Sequence, residues 1–117
     1  MKNEKQSSTK PFSNWTDALV AVADVQRSHA AYKHLVLIDS SHNATAKAVA
    51  LQSMLLFPDD DAKRGAPLTI HKFNHANVDE NVAVDAIIYD EPLSLHARSA
   101  VQKFAARNAD LFVVNKI

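Results

Sequence analysis

The chain reads as one α/β domain in which helices cover both faces of a mostly parallel sheet of about four strands. Two observations predict it. Four short apolar runs each end on a polar or charged residue: Leu35-Val36-Leu37-Ile38 into Asp39, Leu68-Thr69-Ile70 into His71, Ala86-Ile87-Ile88-Tyr89 into Asp90, and Leu111-Phe112-Val113-Val114 into Asn115. Apolar runs without polar alternation mark strands buried on both faces. Helix-like sequence lies before the first run, between the first two and between the last two. A third observation narrows function: the only glycine is Gly65, in a loop. The glycine-rich loops that cradle phosphates are therefore missing.

Residues 1–13 are polar and show no apolar periodicity. They are expected to be a flexible arm, with the α/β domain over residues 14–117. Asn14 is placed to cap a helix, and Asp17 follows three positions later as in a capping box. Trp15, Ala18, Leu19, Val22, Ala23 and Val25 keep a 3.6-residue period. That spacing predicts a helix from Trp15 to near Tyr32, with Asp17, Asp24, Gln26 and Arg27 on its solvated face.

After the first strand, Ser40-Ser41-His42-Asn43 carry the short polar side chains of turns and caps. Alanine-rich residues 44–56 predict the next helix, closed by Phe57-Pro58. Its alanines permit close approach to the sheet, while Val49, Leu51, Met54 and Leu55 supply bulk. Residues 59–67 read as an exposed loop, and the second strand runs from about Leu68 to Phe73. Residues 74–85 fit either a short helix or an antiparallel return, which leaves the direction of the third strand open. That strand is interrupted at Pro92. Ser94 then caps a helix whose inner face carries Ala97, Ala100, Val101, Phe104 and Ala105. The final strand, with no helix after it, is expected at the sheet edge, available for strand addition or homo-oligomer pairing, with a central position equally compatible with topology rules.

A length of 117 residues and an apolar fraction of 47% suffice for a buried core. Thirteen basic residues balance thirteen acidic ones, so nothing favours generic binding to nucleic acid. The absence of cysteine removes disulfides, thiolate metal sites and thiol chemistry. No apolar stretch approaches the roughly 20 residues of a membrane span, and the polar start lacks a signal-peptide core. A cytoplasmic location and no membrane partner are expected.

Ligands of parallel α/β sheets gather outside the carboxyl ends of the strands. The candidate ligand-binding residues are therefore Asp39, Asp90, Glu91, Asn115 and Lys116. Paired carboxylates there suit magnesium, which prefers oxygen ligands, and Lys116 suits a phosphate. The plainer reading is that polar residues follow buried strands because strands end at the surface. It is preferred here, and no metal, cofactor or catalytic residue is assigned.

Ala86-Ile87-Ile88-Tyr89-Asp90-Glu91 resembles the Walker B strand of P-loop ATPases and helicases. The resemblance implies magnesium support by Asp90 and water positioning by Glu91. Its partner motif would follow the first strand, but Ser40-Ser41-His42-Asn43-Ala44-Thr45 lacks both the glycines and the lysine. Val113-Val114-Asn115-Lys116 is similar to the guanine-reading strand of GTPases, without the Asp that family requires. The strand-end acids also resemble the receiver domain of two-component signalling. That likeness implies a phosphoacceptor at Asp90 and a magnesium ligand at Asp39. The receiver's acidic pair after its first strand is absent, a helix precedes the first strand here, and no fifth strand is expected.

The remaining clusters have ordinary explanations. His71 and His75 have a metal-like i,i+4 spacing, but on a predicted strand end and without a third ligand. His42 near Asp39 and Ser40-Ser41 lacks a nucleophile elbow. Asp59-Asp60-Asp61 lacks calcium-loop spacing. Arg98, Lys103 and Arg107 form at most a small basic patch. The reading that remains is a Rossmann-like three-layer domain acting as a non-enzymatic protein-interaction module or small accessory subunit. Phe12 and Trp15, where the arm meets the first helix, are its candidate partner contacts, with core packing an equal alternative for Trp15. The alternative is a nucleotide- or phosphate-handling protein using the strand-end acids. A specific nucleic-acid-binding accessory protein using the last helix comes third.

Overall fold

The computed structural model describes residues 9–29, 31–56 and 68–115. Its elements are β1 (Thr9–Phe12), α1 (Trp15–His29), β2 (His34–Ile38), α2 (Ala44–Leu56), β3 (Thr69–Phe73), β4 (Ala86–Glu91), α3 (Leu95–Ala106) and β5 (Asp110–Asn115). Five strands form one sheet in the order β1-β5-β4-β2-β3. All four neighbouring pairs are parallel, which settles the direction of β4 left open by the sequence.

The strand beyond the expected four is β1, and it comes from the stretch read as a flexible arm. Thr9 to Phe12 pair with Leu111 to Val114. Pro11 is tolerated because β1 has a neighbour on one side only among the described residues. Phe12 stacks on Phe112 with ring centroids 6.0 Å apart and planes 16° from parallel. This corrects a second expectation: β5 is internal, between β1 and β4, and offers no open edge for homo-oligomer pairing. Its exposed flank is taken by residues with too little apolar pattern to announce a strand.

The helix boundaries follow from local chemistry. At α1, the Asp17 amide donates to Asn14 Oδ1 at 2.8 Å, and Asn14 Nδ2 donates to Asp17 Oδ2 at 3.2 Å. The helix stops at His29, earlier than expected, and Gln26 is buried rather than solvated. Its Nε2 donates to the Tyr32 carbonyl at 2.8 Å while its Oε1 accepts from the Tyr32 amide at 3.0 Å. Both of these Tyr32 backbone groups are buried, and buried backbone donors and acceptors need partners. At α3, Ser94 Oγ accepts from the Ala97 amide. The far end closes as a Schellman motif: Asn108 N donates to Ala105 O at 2.9 Å and Ala109 N to Phe104 O at 3.3 Å. Asn108 takes the left-handed conformation there, φ 68°, as asparagine does more readily than most residues.

Successive strand residues face opposite ways, and the core divides accordingly. Leu35, Leu37, Ile88, Phe112 and Val114 cluster with Ala18, Leu19 and Val22 of α1 and with Ala48, Leu51 and Leu55 of α2. Val36, Ile38, Ile87, Tyr89 and Val113 cluster with Ala97, Ala100, Val101 and Phe104 of α3, and with Val78 from the β3–β4 connection. Burying a side chain of this size contributes roughly 1.5–3 kcal/mol. Val49, expected in the core, is exposed, because Ala48 and Leu51 hold the inward face of α2.

The topology places the site. From β2 the chain steps through α2 to β3 on one side. Residues 74–85 carry it back past β2 to β4, and α3 continues outward to β5. Connections thus leave β2 and β4 in opposite directions, opening the crevice where parallel sheets bind ligands.

Candidate functional site

Asp39 and Asp90 stand at this reversal. Asp39 directly follows β2 and Asp90 is the fifth residue of β4, each one step beyond the register pair Ile38 and Tyr89. Both carboxyls are buried. Two buried carboxylates side by side are costly unless hydrogen-bonded or paired with cations. The chain provides those partners itself.

Asp39 Oδ2 accepts from Lys47 Nζ at 2.6 Å. Its Oδ1 accepts from the Ser41 amide at 3.0 Å and the Ser41 hydroxyl at 2.9 Å. Asp90 Oδ1 lies 3.0 Å from both the Ser40 amide and His75 Nε2, and its Oδ2 accepts from the Ser40 hydroxyl. The 39–42 turn is closed by the His42 amide on the Asp39 carbonyl at 3.1 Å, with His42 at φ 61°. Ser94, beyond capping α3, donates its hydroxyl to the His75 carbonyl at 2.8 Å. Burial alone would push the Asp39 carboxyl up, but Lys47 and the two Ser41 donors outweigh it and hold the group below the usual carboxylate range.

Lys47 serves a second contact. Its ammonium sits 5.0 Å from the centroid of the Trp15 ring, a cation–π arrangement. The Trp15 indole packs in the core cluster, and its Nε1 is buried without an acceptor among the described residues. The assembly joins β2, β4, α2 and the turn after β3. A divalent cation entering here would have to displace the Lys47 ammonium from Asp39 and Ser40 from Asp90. No cluster of three His, Asp or Glu residues suited to a metal exists among the described residues.

Glu91 and Asn115 lie elsewhere along the same edge. They are register partners on β4 and β5. Together with Pro92, Leu93 and Arg98 they line a cavity of about 310 Å³. Asn115 also borders a cavity of about 450 Å³ shared with Pro11, Phe12, Ser13 and Asp17. A third, of about 160 Å³, is lined by His42, Ala44, Thr45, Lys72, Phe73, Asn74 and Asn77. The strand-end set is therefore divided, with Asp39 and Asp90 brought together and Glu91 and Asn115 apart from them. Lys116 and Asp59 to Asp61 lie outside the described residues.

The histidines separate as well. His75 goes to Asp90, whereas His71 stacks on His34, with Nδ1 of His34 3.4 Å from Nε2 of His71. Burial, then the neighbouring His34, lowers the His71 pKa, and Asp79 opposes them. The basic patch is largely tied down: Lys103 pairs with Glu80, and Arg107 donates to the Val82 and Glu80 carbonyls. Among the described residues, no helix is long and apolar enough to cross a membrane.

Lys47 is the site residue that the sequence reading passed over, and its one signal was being the sole charged residue in the 44–56 helix. Ser40 and His75 were weighed only in a nucleophile pattern and a metal spacing, and neither pattern pointed to Asp90. No protein-family model, curated protein or solved structure matches the chain.

Proposed function

We propose that the chain is a non-enzymatic protein-interaction module or small accessory subunit, built as a Rossmann-like three-layer domain. One observation carries this reading. At the crevice where such a sheet would bind a ligand, the acids Asp39 and Asp90 are engaged by Lys47, Ser40, Ser41 and His75 of the same chain. Carboxylates so occupied hold the strand ends and the following turn in place. They present no free pair of oxygens to a cation or a phosphoryl group.

The second reading, phosphate handling in a receiver-like site, draws on one feature: the same two acids occupy adjacent strand ends at the topological reversal. Titrating the full chain with magnesium and acetyl phosphate separates the two. The module reading expects no saturable change in the amide resonances of residues 39–43 and no phosphorylated species by mass. A magnesium-dependent adduct that disappears in Asp90→Asn would overturn it.

A further inference from the structure

The corner between β4 and α3 holds a projection beside a recess. Leu95, the first residue of α3, is 82% exposed, more than any other large apolar side chain among the described residues. Close to it in sequence are the walls of the 310 Å³ cavity, Glu91, Pro92, Leu93 and Arg98, with Asn115 from β5. Arg98 is the fourth residue of α3, near the end where the helix dipole is positive, and no acidic residue occupies that first turn. Neither Glu91 nor Arg98 has an ion-pair partner among the described residues. A cation and a carboxylate, neither ion-paired among the described residues, thus border one recess, close in sequence to a leucine left in water.

Resting on the interaction-module reading, we infer that this corner binds a second copy of the chain about a two-fold axis. In an isologous contact the same patch meets itself, so residue i faces j and j faces i. Glu91 of each copy then faces Arg98 of the other, and each Leu95 enters the opposite recess. One sequence supplies both halves of the charge complementarity. A partner of a single charge sign would leave either Glu91 or Arg98 against its own kind. β5 takes no part through strand pairing, since it is bonded on both sides.

Sedimentation equilibrium of the full chain over a concentration series tests this. The mass is expected to rise toward twice that of the monomer. Arg98→Glu and Glu91→Arg, each setting like charges across the axis, should weaken association by about tenfold or more. The double variant carrying both changes should restore it, and Leu95→Gln should weaken it without touching the charges. Denaturant melts of each variant confirm that the fold is retained. A monomer at every concentration up to about 1 mM, association unaffected by the single swaps, or a double variant as weak as the singles would each overturn the inference. The magnesium and acetyl phosphate titration does not depend on oligomeric state, so the dimer and the module reading fail separately.

Discussion

Along one edge of the sheet, two neighbouring acids live under opposite rules. Asp90 is buried, and its carboxylate accepts from Ser40 and lies against His75. Glu91, the next residue, borders an open cavity and forms no ion pair among the described residues. Side chains alternate across a strand, so one step along β4 moves a carboxylate from the crevice to the opposite side. An acid turned into the fold must be matched by its own chain. An acid turned out of it remains available to something else. Similar polar strand endings therefore hold the fold together at β2 and β4, and border an open cavity at β4 and β5.

The sharpest way to break this contrast is to delete each acid in turn. Asp90→Ala leaves Ser40 and His75 without their buried acceptor and should cost roughly 3–5 kcal/mol in denaturant melts. Glu91→Ala should stay within about 0.5 kcal/mol. Equal costs would erase the distinction. The apolar core sets the scale: Ile87→Ala, at a fully buried sheet position, should cost roughly 2–5 kcal/mol. If Asp90→Ala matches it, the polar cluster holds the fold as firmly as the packed sheet does.

Acid titration probes the same cluster more gently. The folded pKa of Asp39 lies below its ordinary value although burial pushes it upward, because Lys47 and the Ser41 donors prevail. The folded state thus favours the ionised form. Its contribution to stability is complete above the unfolded carboxylate pKa of about 4, and is lost as pH falls through the lower folded value. Lys47→Met should flatten this acid limb in unfolding experiments from neutral to strongly acidic pH. An unchanged slope would mean that the ion pair contributes nothing. The smallest expected effect lies away from the edge, where Asn108→Ala should cost about 1 kcal/mol by forcing alanine into the left-handed region. A neutral result would remove the local strain argument at the α3 terminus.

How much of this could be read beforehand depended on distance along the chain. The apolar runs before Asp39, Asp90 and Asn115 became the largely buried β2, β4 and β5, whereas the shorter run before His71 became β3, half-exposed at the end of the sheet rather than buried on both faces. The caps at Asn14 and Ser94 were legible because donor and acceptor lie three residues apart. β1 was not, since Thr9-Lys10-Pro11-Phe12 becomes a strand only beside β5. Gln26 looked solvated for a related reason: its partner is a peptide six residues later, after a turn no periodicity describes. Asp39 and Asp90 stood out as strand-end acids. Their partners did not, because Lys47 arrives on a helix and His75 by a connection crossing the sheet.

The pairing of β1 with β5 joins the first described strand to the last. Every other strand pair closes a shorter loop, and closure entropy rises with the length enclosed. During synthesis, Thr9 to Phe12 leave the ribosome long before residues 110–115 exist to receive them. Phe112 gains the Phe12 ring only at that final step. Distant pairings of this kind reward the chain late and slow its folding. By loop closure alone, β1, the earliest described strand, is expected to settle last.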